Sequence, residues 1–156
     1  MASSSGSDPS TGQRASVDLE VRYAETDQMG VVHHSVYAVW YEVARTRLCE
    51  ATGYHYAEIE AMGYNLVVAA LETRYLSPAR YGDVVTVDCW LERFSSRLLR
   101  FGYTVRRGPG ATADSLLLAT GATQHVWVEA GQERSRRIPE SLRPAFESLQ
   151  SKPPGP

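Results

Sequence analysis

One segment of this chain carries a helical apolar period of any length, and almost everything after it alternates. Between Ser35 and Thr52, the residues Tyr37, Trp40, Tyr41, Ala44, Leu48 and Ala51 recur at spacings of three and four. That spacing places them on one face of a helix. Val36, Val39 and Val43 widen the stripe, so the helix is expected to be largely enclosed by other structure. Ser35 sits where an N-cap belongs and Gly53 where a helix stops. A second, short helix is expected from Tyr56 to Met62, ended by Gly63.

The other apolar residues follow a period of two. Val17, Leu19, Val21 and Tyr23 alternate with Asp18, Glu20 and Arg22, which reads as a half-buried strand. Residues 65–76, 84–94, 98–107 and 115–130 read as further strands, separated by a turn at 77–83, by Ser95-Ser96 and by a loop at 108–114. Gly121 inside the last of them is read as a bulge. Pro139 is expected at or near the first turn of a short C-terminal helix. Strands in series with short turns favour an antiparallel sheet, and one apolar helix packed on it gives an α+β arrangement.

The 156 residues, 43% of them hydrophobic, suffice for one compact domain. It is expected to span 17–150, with residues 1–16 and 151–156, dominated by Ser, Gly and Pro, as disordered tails. A net charge of −2 offers no single-sign field for gripping nucleic acid or an anionic membrane. No apolar run approaches the roughly 20 residues that span a bilayer, and the N-terminus lacks the apolar core of a signal peptide. A cytoplasmic protein is expected. Cys49 and Cys89 lie far apart in apolar patterns without metal-ligand spacing, so they read as buried thiols. No metal or other cofactor is expected.

The chemistry concentrates in residues 26–37. Asp27 stands in a Gly30-containing loop immediately before the long helix. A helix start offers unpaired N–H groups and the positive end of the dipole. Such donors suit an oxygen that gains negative charge during acyl transfer. A carboxylate beside them can attack the carbonyl or activate a water. Asp also favours ordering its own loop through backbone N–H groups, and spacing leaves both roles open.

The run TDQMGVVHHSVY, continued as AVWYEVARTRL, resembles the motif of the 4-hydroxybenzoyl-CoA thioesterase and YbgC-like family, and YLSPARYGD at 75–83 resembles that family's second landmark. The resemblance implies a hotdog fold, an antiparallel sheet of five or six strands wrapped around a long central helix. It implies homodimers, often paired into tetramers, with active sites at the subunit interface. By position, Asp27 matches the catalytic carboxylate, the His34 backbone N–H the donor to the thioester carbonyl, and Gly30 the loop glycine. Glu42 matches a recurrent helix glutamate, and it is also expected to pair with Arg45 or approach Thr46. Val32, His33, Tyr37 and Tyr64 are expected to contact substrate, and Ser96 and Arg97 resemble a region that meets the nucleotide. Two departures stand out: Val36 replaces a common Asn, and Gln28-Met29 replaces a smaller pair at the pocket mouth. The expected activity is hydrolysis of an acyl-CoA to free acid and coenzyme A, with Asp27 as nucleophile or general base. The alternatives are hydrolysis of carrier-protein thioesters and a non-catalytic acyl-CoA-binding module.

Overall fold

The computed structural model describes residues 12–150. Of the tails expected at 1–16 and 151–156, residues 1–11 and 151–156 lie outside them, and residues 14–16 are strand rather than tail. Strand β1 (Arg14–Glu20) begins three residues earlier than its alternation suggests. Arg14 pairs with Trp90, and its guanidinium stands 4.6 Å from that indole's centroid. This cation–π contact and the burial of Ala15 hold the segment in the sheet. The alternation ends at Val21, which is buried; Tyr23 is turned outward, because a single 3-10 turn at Tyr23–Glu25 breaks the period.

Then follow α1 (Val36–Glu50), α2 (Tyr56–Ala61), β2 (Tyr64–Tyr75), β3 (Val84–Phe94), β4 (Leu98–Arg107), β5 (Leu117–Glu129), the two-residue β6 (Ser135–Arg136) and α3 (Arg143–Glu147). The six strands form one antiparallel sheet in the order β1-β3-β4-β5-β2, with β6 on β5. Thus β3, β4 and β5 are a meander, β1 and β2 are added at its two edges, and α1 joins one edge to the other across a face of the sheet. Gly53 and Gly63, with φ of +85° and +90°, end the two helices as their positions suggest.

Val85, Val87, Cys89 and Leu91 of β3 alternate inward beside Leu99, Phe101, Tyr103 and Val105 of β4, all fully buried. Tyr37, Trp40, Tyr41, Ala44 and Leu48 of α1 close over them. The Tyr41 ring stacks on Tyr103, 4.3 Å between centroids and 15° from parallel. That ring explains Gly121, which is no bulge: a Cβ there would lie 2.4 Å from the Tyr41 hydroxyl oxygen. The register breaks fall elsewhere, at Val68/Ala70, Leu91/Arg93 and Val105/Arg106. The far end of the same face is covered by Ile138, Leu142, Phe146 and Leu149, with Phe146 edge-on to Trp127 at 5.4 Å. Pro144, not Pro139, occupies the first turn of α3; the Pro139 carbonyl instead accepts the N–H groups of Leu142 and Arg143 to start the turn before it.

Two expectations for α1 change. Val39 and Val43 are 55% and 39% exposed, so the helix is covered on one side only. Arg45 does not pair with Glu42. It falls one turn after Tyr41 on the buried face, and it donates to the hydroxyls of Tyr103 (3.1 Å) and Tyr56 (3.3 Å), while Glu42 stays exposed. Cys49 and Cys89 are buried free thiols, and burial raises the Cys49 thiol to about 11. Among the described residues no helix is long and apolar enough to cross a membrane.

Candidate active site

The segment from Val21 to Val36 folds into a small hairpin whose backbone groups hold one another. Asp27 N–H donates to Val31 O and His33 N–H to Glu25 O, both at 2.9 Å, bracketing an isolated Thr26–Val32 bridge. Val32 N–H reaches Ala79 O at 2.8 Å, which fastens the hairpin to the 77–83 turn. At its tip Gly30 takes φ +77°, a conformation that strains residues with a side chain. The buried carboxylate of Glu25 ties the base of the hairpin to α1, accepting from Arg22 N–H at 2.8 Å and from the Trp40 indole at 3.3 Å.

Asp27 does order its own loop: Oδ1 accepts the Met29 N–H at 2.9 Å. The second oxygen, Oδ2, has no hydrogen-bond partner among the described residues. One oxygen of this side chain thus serves the loop and the other is unpaired among the described residues, and Asp27 lines a cavity.

The helix entrance is held differently from the expected Ser35 cap. The Ser35 side chain caps nothing; its hydroxyl and its N–H both turn to Nδ1 of His33, at 2.7 and 3.2 Å. The His33 carbonyl accepts the Val36 N–H at 3.0 Å. The His34 carbonyl accepts the Tyr75 hydroxyl at 2.7 Å. The N–H groups of His33, Ser35 and Val36 therefore all have acceptors. The N–H of His34 has none among the described residues, and His34 lines the same cavity as Asp27.

That cavity measures about 320 Å³. Its polar side is Asp27 and His34, and its apolar walls come mainly from Val31, Val32, Tyr37 and Tyr75. Tyr37 and Tyr75 meet edge to face at 5.1 Å, and burial raises the Tyr37 hydroxyl, which keeps it neutral. The exposed Met29 stands at the rim. His33 and His34 lie ring against ring, 4.0 Å apart and tilted by 33°. Among the described residues no three His, Cys, Asp or Glu side chains gather as a metal site.

Of the residues singled out in the sequence, Asp27, Val32, His34 and Tyr37 come together here, with Gly30 shaping the loop. His33 is beside the cavity but occupied with Ser35. Glu42 lies on α1 away from it. Tyr64 begins β2 and Tyr75 ends it, a separation of roughly 35 Å at strand rise. Within one chain, therefore, Tyr64 does not reach this cavity. Ser96 and Arg97 form the β3–β4 turn, where the Ser96 carbonyl accepts the Ile138 N–H at 2.7 Å and Arg97 donates to the Ser135 carbonyl at 3.4 Å. These bonds join the turn to the C-terminal segment. Two site residues, Glu25 and Tyr75, escaped the sequence reading. Tyr75 opens the second landmark, YLSPARYGD, but its partner is 41 residues away.

Comparison with known proteins points to one kind of chemistry. A sequence profile described as the thioesterase-like superfamily matches residues 21–146. YneP of Bacillus subtilis, named provisionally as an acyl-CoA thioesterase, is 39% identical over 60% of this chain and 67% of its own length. The crystal structure of hypothetical protein TT1821 from Thermus thermophilus is 45% identical, with a TM-score of 0.77 over 86% of this chain and 98% of that one. DHNA-CoA thioesterase from Staphylococcus aureus is 28% identical, with a TM-score of 0.79 over 87% of this chain and 90% of that one.

Proposed function

We infer the reaction from this premise: the chain belongs to the thioesterase-like superfamily, and its sheet wrapped on one long helix is the hotdog fold. It hydrolyses an acyl-CoA thioester to the free acid and coenzyme A. The observation that carries the reading is the His34 N–H, left without an acceptor in a cavity that is also lined by Asp27, one of whose carboxylate oxygens is unpaired among the described residues.

The thioester carbonyl oxygen takes the place of the missing acceptor. The peptide joining His33 and His34 already receives the Val36 N–H on its carbonyl, which polarises its own N–H further. A fixed dipole of this kind favours the charge that develops on the oxygen, and losing one such donor costs roughly 10²–10³ in rate in known oxyanion sites. Asp27 Oδ2 then acts by one of two balanced routes. It attacks the carbonyl carbon, expelling the coenzyme A thiolate and leaving a mixed anhydride that water cleaves. Alternatively it takes a proton from a water whose oxygen attacks the same carbon, and the thiolate leaves with that proton. Tyr37, Val31 and Val32 offer the acyl group an apolar wall.

The assembly we propose is a homodimer through β2. This strand ends the sheet order, so its outer edge has no strand beside it among the described residues. It carries Val67, Val68 and Leu71, each 43–48% exposed. A long apolar edge of this kind is a template for pairing. Two buried free thiols fit a reducing compartment, and we place the protein in the cytoplasm.

The test is thiol release from short, long and aromatic acyl-CoAs and from an acylated carrier protein, with wild type and Asp27→Asn side by side. Turnover by wild type that falls at least about 10³-fold in the variant, with the fold intact, is the expected result. Turnover on the carrier protein alone would move the substrate class. Equal turnover by both proteins would remove Asp27 from the mechanism.

A further inference from the structure

We propose that Tyr75 is a positioning residue: by holding the His34 carbonyl, its hydroxyl sets the direction of the His34 N–H. The proposal rests on the thioesterase reading above.

Two peptide planes meet at the Cα of His34. The plane before it is fixed at its carbonyl by Val36 N–H, and its N–H is the open donor. The plane after it is held at its N–H by a 3.2 Å contact to the His33 ring and at its carbonyl by the 2.7 Å bond from Tyr75. Remove the shorter bond and one long contact remains to stop that plane turning. Rotation there carries the neighbouring plane with it, and the His34 N–H swings off the position where the carbonyl oxygen gathers charge.

Tyr75 is built to deliver this bond from a rigid support. It is the last residue of β2 and pairs with Ala119 of β5. The next two N–H groups, of Leu76 and Ser77, both close on Leu118 O at 2.9 and 3.1 Å. The ring is braced edge-on by Tyr37. Half of the residue is exposed, so water alone would satisfy the hydroxyl. Its satisfaction does not require the His34 carbonyl, whereas the carbonyl's orientation does require Tyr75. The site's geometry therefore depends on the edge strand as well as on the helix.

The experiment is Tyr75→Phe, which removes the hydroxyl and keeps the ring against Tyr37. On the best substrate of the panel, kcat should fall about five- to tenfold with KM changed less than about twofold. In the free protein the His34 backbone amide resonance should shift in Tyr75→Phe. Tyr23→Phe, on an exposed tyrosine outside the cavity, should leave kcat and that resonance unchanged. Unchanged kcat in Tyr75→Phe, or a rise in KM alone, would overturn the proposal. Turnover that needs Asp27 but ignores the loss of the Tyr75 hydroxyl sinks this inference and spares the thioesterase reading; no wild-type turnover on any thioester sinks both.

Discussion

Asp27 and Gly30 were legible in the sequence because their work is local. A carboxylate two residues before its own bonded N–H, and a glycine at the tip of a tight hairpin, follow from a few consecutive residues. Gly121 was visible as a glycine in a strand, but sequence does not tell a bulge from a close approach. The answer depends on which ring lies opposite, and Tyr41 is 80 positions upstream. The consequence is specific. Gly121→Ala should lower the unfolding free energy by about 1–3 kcal/mol, because Tyr41 is fully buried and stacked on Tyr103 and cannot yield. Gly102→Ala is the comparison: its Cβ would meet the Trp90 ring at 2.7 Å, but that indole is only partly buried and can tilt toward solvent. Urea midpoints of the two variants should separate, with Gly121→Ala the lower.

Elements were read almost to the residue wherever alternation or a helical period is unbroken, as for α1, β3 and β4. What period cannot say is which apolar face is covered. Val39 and Val43 lengthen the apolar arc of α1 yet stand in solvent, and Leu71 does so on β2. Burial depends on what lies across from a face, which in the homodimer proposed above includes a second chain. The edge-strand pairing proposed above gives a direct check. Leu71→Lys should weaken self-association at least about tenfold in sedimentation equilibrium without changing the circular dichroism of the fold. A wild-type protein that sediments as a monomer, or a variant that associates as well as wild type, would rule out β2 as the contact.

At the scale of the molecule, the α+β order was legible and the double cover of the sheet was not. The C-terminal segment is short and irregular, and only its contact with Trp127 and the end of β3 shows it to be core. Between the two covers runs a buried polar chain in which Arg45 meets Tyr103, Tyr103 meets Thr123 at 2.6 Å, and Thr123 meets His125 at 2.8 Å. Burial, then the Arg45 charge, lowers His125 from 6.5 to about 3. The folded protein thus keeps this ring neutral where the unfolded chain would protonate it. Between those two values the unfolded state binds the extra proton, so stability falls as pH falls, by up to about 1.4 kcal/mol per unit from this group. Above 6.5 the contribution is flat. Urea unfolding at pH 7, 6, 5 and 4 should show a steeper loss in wild type than in His125→Leu; parallel curves would remove His125 as the cause.

The strand order also has a meaning in time. Synthesis delivers β1, the Asp27 hairpin, α1 and β2 before any of the meander that joins them. At about 5–20 residues per second, making residues 84–129 takes roughly two to ten seconds. Until β3 and β4 have been made within that interval, Tyr37, Trp40, Tyr41 and Leu48 lack the strands they lie on. A nascent chain of this design is stickiest before its meander is made, and its yield in a cell depends on what shields the first half until then.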